Sequence, residues 1–199
     1  MRVAYTLLIA HVAAVVFGLV GMLIALRHPE WWSGSGFGEM LFSFGMATPS
    51  RRIVLLAYPG VQTLDVTGPA DVFAAASQLA PPGAGYTVEL AARTRAPLRT
   101  SSGIALLPQR TLAEITGPID TLLVAGGRGV YEAARDRGVV SWVRRAAPRC
   151  RRVTSVCTGA VLLAEAGLLD GRRATTHWAW AEQLAERYPA VHGYPLRPP

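Results

Sequence analysis

The chain contains neither lysine nor asparagine, and only two of its 199 residues are cysteines. Two cysteines cannot build the disulfide framework of a small secreted domain, so the composition indicates a protein of a reducing compartment. The 20 basic residues are therefore all arginines, and they give a net charge of +7. Because the arginine pairs are dispersed and no helix-turn-helix pattern is visible, we expect no direct binding of nucleic acid.

One long apolar run does occur, at residues 3–26, and it carries no charged side chain. At about 1.5 Å per residue, a helix of this length can cross a hydrocarbon core of about 30 Å. A secretory signal and a buried helix are the alternatives, but no clear small-residue cleavage site follows Leu26. We therefore predict an N-terminal apolar helix within residues 1–28 that crosses a membrane once, and a linker at residues 29–51. The charge balance slightly favours a cytoplasmic location for the remaining chain, and a wholly cytoplasmic protein is the alternative.

From residue 52 onward, short apolar runs alternate with helical patterns. The run at residues 53–57 is continuously apolar, which is typical of a parallel strand buried on both faces. Further strands are predicted at residues 86–91, 104–108, 121–125, 153–156 and 174–176, and helices at residues 71–78, 112–115, 139–147, 158–168 and 178–188. This alternation predicts an α/β fold with a mainly parallel sheet flanked by helices.

A cysteine stands between a predicted strand and a predicted helix in the motif Thr154-Ser155-Val156-Cys157-Thr158-Gly159-Ala160. This is the layout of a nucleophile elbow, a sharp turn that presents a reactive side chain at the carboxyl end of a strand. The unpaired amides and the dipole at the start of the helix favour a thiolate there. We therefore predict that Cys157 is the reactive residue, and we interpret Cys150 as a structural thiol.

Two other predicted strands end in residues that could assist Cys157. Asp65 comes just after the first strand, and Gly126 and Gly127 follow the strand at residues 121–125. Because the carboxyl ends of parallel strands lie at one edge of the sheet, we expect these residues to lie near the thiol. Asp65 would orient the thiol or exchange a proton with it; the alternative is that it only caps the following helix.

Backbone amides are predicted to form an oxyanion-type pocket beside the cysteine, with Gly126, Gly127 and Thr158 as donors. The alternative for the two glycines is a simple turn. His177 is a candidate for the pocket wall, where it would polarise a substrate or tune Cys157, and a structural histidine is the alternative. We predict no metal site and no cofactor.

A set of short motifs is spread over residues 52–191. They are Tyr58-Pro59-Gly60, Leu64-Asp65-Val66-Thr67-Gly68-Pro69-Ala70-Asp71-Val72-Phe73, Thr100-Ser101-Ser102-Gly103, Ala125-Gly126-Gly127, Ser155-Val156-Cys157-Thr158-Gly159-Ala160, Ala166-Gly167-Leu168-Leu169-Asp170-Gly171 and Arg173-Ala174-Thr175-Thr176-His177-Trp178. This part of the chain resembles the ThiJ/PfpI superfamily, which has a class I glutamine-amidotransferase-like fold. Within it, the motifs are similar to the branch that holds the sensing domains of AraC-type (GlxA-like) transcription regulators and the isocyanide hydratases.

The resemblance implies two functions from different classes. The first is the small-molecule-sensing half of an AraC-type regulator, without its DNA-binding half. The alternative is an isocyanide-hydratase-like enzyme, in which Cys157 attacks the isocyanide carbon, Asp65 assists proton transfer and Thr158 is a neighbouring pocket residue. Thr158 stands where the protease-like branch has a histidine, which argues against protease activity. The resemblance also implies a homodimer, and a family domain that is incomplete at its C-terminus and followed by an irregular tail at residues 192–199.

Overall fold

A parallel sheet forms the centre of the fold in the computed structural model, which describes residues 50–81 and 84–193. The strands are β1 (Arg51–Leu56), β2 (Tyr86–Ala92), β3 (Leu98–Arg99), β4 (Ala105–Leu106), β5 (Arg110–Thr111), β6 (Ile119–Val124), β7 (Cys150–Ser155), β8 (Arg173–Ala174) and β9 (His192–Gly193). The helices are α1 (Thr63–Gln78), α2 (Val130–Arg135), α3 (Arg137–Ala146), α4 (Ala160–Glu165) and α5 (Ala181–Arg187). Single 3-10 turns lie at Leu112–Glu114, Ala147–Arg149, Cys157–Gly159 and Trp178–Trp180.

The sheet has the order β5-β2-β1-β6-β7, and every neighbouring pair in it is parallel. This confirms the predicted α/β fold with a mainly parallel sheet. The chain adds β2 and β5 on one side of β1, and then β6 and β7 on the other side. Ligands of such sheets bind at the carboxyl ends of the strands where the order reverses, which here means between β1 and β6.

The carboxyl-terminal parts of the central strands β1 and β6 are apolar because both of their faces are covered. In β1, the side chains from Ile53 to Leu56 are at most 1% exposed. The connection from β1 through α1 to β2 runs toward one edge of the sheet, and the connection from β6 through α3 to β7 runs toward the other edge. Because such crossovers are right-handed, α1 and α3 lie on opposite faces of the sheet. Helix α3 shows the expected spacing of buried residues, with Val139, Trp142, Val143 and Ala146 facing inward.

Helix α1 begins at Thr63, whereas the sequence predicted a helix only from Asp71. The Gly68-Pro69 pair misled the prediction, because a proline inside a helix gives up one backbone hydrogen bond and usually marks a boundary. Here Pro69 lies within the helix. As a result Asp65 belongs to the first turn of α1 and not to a loop.

Three smaller elements also differ from the prediction. The segment after Cys157 is a 3-10 turn followed by α4, which ends at Glu165. Helix α2 was not predicted. His192–Gly193, which the sequence assigned to the irregular tail, forms β9 and pairs in parallel with β8.

The predicted membrane localisation is corrected here. Within residues 50–81 and 84–193, no helix is both long and apolar enough to cross a membrane. The longest helix there, α1, has 16 residues and contains Asp65 and Asp71; its length of about 24 Å is less than a hydrocarbon core of about 30 Å. The prediction of a membrane protein is therefore wrong for this part of the chain. The apolar run at residues 3–26 and most of the predicted linker lie outside the described residues.

Candidate functional site

Cys157 stands at the carboxyl end of β7 in a strained backbone conformation. Its φ is 54°, and among the described residues it alone has a positive φ without being a glycine. Such a conformation costs about 1–3 kcal/mol and persists only where its surroundings stabilise it. The Thr176 hydroxyl supplies one such contact, because Oγ1 donates a hydrogen bond to the Cys157 carbonyl oxygen at 2.9 Å. The elbow geometry therefore depends on a segment 19 residues further along the chain.

Asp65 reaches the cysteine from the first turn of α1. It is only 7% exposed, and its Oδ2 accepts a hydrogen bond from the Gly126 amide at 3.1 Å. Asp65 also acts on the Cys157 thiol, whose protonated form its side chain favours. The N-cap residue of α1 is Gln62, and no side chain caps this helix end. The structure therefore places the Asp65 carboxylate beside the thiol rather than in the capping position.

Burial is the main cause that raises the pKa of the Cys157 thiol above its usual value. The negative charge of Asp65 raises the pKa further, whereas hydrogen bonds from the Thr158 amide and hydroxyl lower it. The net direction is upward, so burial and the adjacent carboxylate favour the protonated thiol. The predicted preference for a thiolate is opposed because a short turn and a short helix do not outweigh desolvation and a neighbouring negative charge.

The amides of the two glycines are already engaged. The Gly126 amide donates to Asp65, and the Gly127 amide donates to Thr158 Oγ1 at 2.9 Å. The Thr158 amide bonds the Cys157 sulfur. In this structure the predicted donors bond Asp65, Thr158 and the thiol, and an oxyanion-type pocket formed by them stays a prediction.

Gly126 is required by close packing at the centre of the site. A Cβ atom there would lie 2.7 Å from Asp65 Oδ2, 2.7 Å from the Thr158 nitrogen and 2.9 Å from the Cys157 Cβ atom. These distances are shorter than real Cβ contacts, so only glycine lets the three partners meet. Gly127 is equally constrained, because its φ is 130° and a Cβ atom would lie 2.4 Å from the Gln62 nitrogen.

His177 follows Thr176 and makes local contacts. Its Nδ1 accepts a hydrogen bond from the Ala179 amide at 3.3 Å, and its ring stacks on Trp178 with 5.5 Å between centroids. These contacts cap the turn Trp178–Trp180, which fits the alternative of a structural histidine. A position in the pocket wall remains a prediction.

Sequence reasoning missed two residues of the site, Tyr58 and Thr176. Tyr58 is 4% exposed and its hydroxyl donates to the Ala125 carbonyl oxygen at 2.6 Å. The signal for Tyr58 was its place at the end of the apolar run of β1, at the same edge as Asp65. Thr176 gave no signal of its own. In residues 50–81 and 84–193, no group of three His, Cys, Asp or Glu side chains could hold a metal ion.

The fold and the site together define an α/β protein with a parallel sheet and a cysteine elbow at the carboxyl edge of that sheet. The model of the DJ-1/PfpI family matches residues 51–193, and the chain is a member of that family. This confirms the resemblance to the ThiJ/PfpI superfamily.

The known proteins that this chain is similar to include a hydratase and a transcription regulator. It is 39% identical over 145 residues to a protein encoded in the cpoL 5′ region of Streptomyces lividans, covering 73% of this chain and 100% of that protein. It is 39% identical over 133 residues to the isonitrile hydratase of Pseudomonas putida, covering 67% of this chain and 55% of the hydratase. It is 48% identical over 52 residues to the HTH-type transcriptional regulator Rv1931c of Mycobacterium tuberculosis, covering 26% of this chain and 20% of the regulator.

A solved structure gives the same picture of the fold. The ThiJ/PfpI family protein of Pseudomonas syringae superposes with a TM-score of 0.65 at 28% identity, covering 76% of this chain and 59% of that one. The chain spans about half the length of the hydratase and a fifth of the regulator. The matches therefore do not by themselves assign the activities of those whole proteins to this chain.

Proposed function

We propose that this domain hydrates isonitriles (isocyanides) to N-substituted formamides, with Cys157 as the nucleophile and Asp65 as the proton acceptor. The observation that carries the proposal is the close approach of Asp65 to Cys157, a strained residue. The position that a Gly126 Cβ atom would take lies 2.7 Å from Asp65 Oδ2 and 2.9 Å from the Cys157 Cβ atom. A buried, protonated thiol is a weak nucleophile unless an adjacent base accepts its proton. Asp65 stands in that position.

The reaction balances without a metal or cofactor as a reactant. The Cys157 proton passes to the Asp65 carboxylate while the sulfur forms a bond to the terminal carbon of the isonitrile. Asp65 then returns the proton to that carbon, which gives a thioimidate, R–N=CH–S–Cys. Water adds to the thioimidate carbon, the C–S bond breaks, and the products are R–NH–CHO and the free thiol.

The second candidate is a sensing domain like that of AraC-type regulators, which the sequence analysis had placed first. Its support is the 48% identity to the regulator Rv1931c. That match spans only 52 residues, whereas the match to the hydratase spans 133. The thiol–carboxylate contact has a chemical purpose in a hydratase and none that a purely binding site requires, which reverses the order of the two candidates.

Incubation of the purified full-length protein with an alkyl isonitrile tests the proposal. We expect the N-alkyl formamide as product, detected by chromatography and mass spectrometry, and its loss in Cys157→Ala. Cys150→Ala is the matched control and should retain turnover, because Cys150 lies at the opposite end of β7. A folded wild-type protein that produces no formamide would refute hydration. Saturable isonitrile binding without turnover, measured by calorimetry, would then support the sensing domain.

Two further properties stay predictions. We expect a homodimer, which light scattering of the purified protein would detect. We expect no direct binding of nucleic acid, which a mobility-shift assay would check.

A further inference from the structure

Tyr58 and Asp65 contact opposite ends of one peptide group. The Tyr58 hydroxyl donates to the Ala125 carbonyl oxygen at 2.6 Å. The amide that follows this carbonyl belongs to Gly126, and it donates to Asp65 Oδ2 at 3.1 Å. The Ala125–Gly126 peptide therefore joins the phenol to the carboxylate through two hydrogen bonds.

The preceding peptide group ties this turn to the sheet. The Ala125 amide donates to the Leu56 carbonyl oxygen at 3.2 Å, so the residue that begins the turn after β6 is fixed to the end of β1. A peptide whose carbonyl accepts a hydrogen bond has a more polarised N–H group, and its plane is less free to rotate. Both effects strengthen the bond from the Gly126 amide to Asp65.

We propose that Tyr58 is a positioning residue that acts through the Ala125–Gly126 peptide to fix the Asp65 carboxylate beside the Cys157 thiol and to restrain its uptake of the thiol proton. The proposal rests on the proposed function of that pair, but it concerns a residue that touches neither the sulfur nor a substrate. It makes the phenol a regulator of how readily Asp65 accepts the thiol proton.

The hydroxyl of Tyr58 remains a donor over the whole physiological range. Burial is the main cause that raises its pKa far above the usual value, and the charges of Asp65 and Cys157 raise it further. The titratable groups that act on Cys157 and Tyr58 are thus Asp65 from α1 and these two residues themselves.

Alkylation of Cys157 by iodoacetamide measures this coupling without any substrate. The assay uses Cys150→Ala protein, so that Cys157 is the reacting thiol. In Tyr58→Phe the Gly126 amide becomes a weaker donor, Asp65 accepts the proton more readily, and the thiolate forms at lower pH. One hydrogen bond of ordinary net strength corresponds to an increase of about two- to tenfold in the alkylation rate near pH 7.

The same change in an Asp65→Asn background separates positioning from general loosening. If Tyr58 acts through the carboxylate, Tyr58→Phe should change the alkylation rate little once Asp65 is replaced. Tyr188→Phe is the matched control, because it also removes a hydroxyl hydrogen bond, from Tyr188 to Glu165 Oε2 at 2.7 Å. It should leave the pH profile of Cys157 unchanged.

An unchanged profile in Tyr58→Phe, or an equal change in both backgrounds, would overturn the proposal. If Tyr58→Phe does not fold, replacement of all tyrosines by 3-fluorotyrosine provides a second route. The fluorinated phenol is a stronger donor and should slow alkylation, but only while Asp65 is present. A protein that shows this coupling but hydrates no isonitrile would refute the proposed function and leave the role of Tyr58 intact.

Discussion

An aspartate lies at each edge of the sheet, and the two carboxylates have different partners. At the carboxyl edge, Asp65 accepts a hydrogen bond from the Gly126 amide and lies beside the Cys157 thiol, and both of these groups are neutral donors. At the amino edge, Asp120 at the start of β6 pairs with Arg151, whose Nε lies 2.6 Å from Oδ2, and more distantly with Arg152. The hydrogen bond from Arg151 is the main cause that lowers the pKa of Asp120 to about 2.

The difference shows how one residue type serves structure at one edge and chemistry at the other. A carboxylate bonded by guanidinium groups is fixed as an anion, and it gives up its charge only in strong acid. A carboxylate bonded by an amide and a thiol can exchange a proton with the thiol, because neither donor fixes its charge. Substitutions at the two edges should therefore affect the Cys157 thiol at the carboxyl edge and only the stability of the fold at the amino edge.

The largest effect is expected where the carboxyl edge is most tightly packed. Gly126→Ala should destabilise the fold by about 3 kcal/mol, because its Cβ atom would overlap Asp65 and Thr158. Thermal and urea unfolding would measure this loss. Gly68→Ala is the control: its Cβ atom would meet only the Leu64 side chain at 3.7 Å, and it lies inside α1. That change should stabilise by up to about 1 kcal/mol. Equal effects of the two substitutions would contradict the packing argument.

The next effect concerns the strained backbone of Cys157. Thr176→Val keeps the shape of the side chain but leaves the Cys157 carbonyl without its hydroxyl donor. We expect a loss of about 1–2 kcal/mol in the free energy of unfolding. The rate of Cys157 alkylation should change as well, and Thr176→Ser should restore both. Thr175→Val, at an exposed neighbouring position, should alter neither. A normal alkylation rate in Thr176→Val would show that the elbow does not need this contact.

Removing the negative charge of each aspartate, in Asp65→Asn and in Asp120→Asn, compares the two edges directly. Asp65→Asn should lower the pKa of Cys157, because the charge of Asp65 raises it. A shift of one unit would be a tenfold change in thiolate near neutral pH. Asp120→Asn should leave the alkylation profile unchanged. If both variants shift the profile equally, the effect is one of net charge and not of contact.

The smallest effect is expected at the amino edge. The folded pKa of Asp120, about 2, lies below its ordinary value of 3.8, so its contribution to stability is fully present above about pH 4 and is lost as the pH falls through 2. Because Arg151 is half exposed, solvent screens the pair, and we expect a smaller effect than at the carboxyl edge. Urea unfolding of Asp120→Asn should show this loss at pH 7 and a steadily smaller one as the pH falls toward and below 2. A loss that persists in acid would have to come from packing.

Much of the arrangement could be predicted because it follows from the hydrophobic pattern. The continuous apolar runs of β1 and β6 indicate parallel strands, and parallel strands bring their carboxyl ends to one edge. The convergence of Asp65, Gly126 and Cys157 follows from this topology alone.

The remaining details depend on distances between loops, which the pattern does not contain. Whether the Gly127 amide is available to a ligand depends on where the Thr158 hydroxyl lies, 2.9 Å away in the folded chain. The protonation of Cys157 depends on burial and on Asp65 together, and the local elbow motif indicates the opposite direction. The early start of α1 was hidden by Pro69, whose missing hydrogen bond the helix tolerates.

Because the φ of Cys157 is positive, any side chain at this position lowers the stability of the fold, and the thiol is present at that cost. At most positions glycine is worse than alanine, because it loses more conformational freedom on folding. At a φ of 54° the order should reverse, and Cys157→Gly should be more stable than Cys157→Ala by about 1 kcal/mol. Mutation to glycine would therefore stabilise a related protein that does not use the sulfur. The cysteine keeps the thiol at this position at a cost in folding stability.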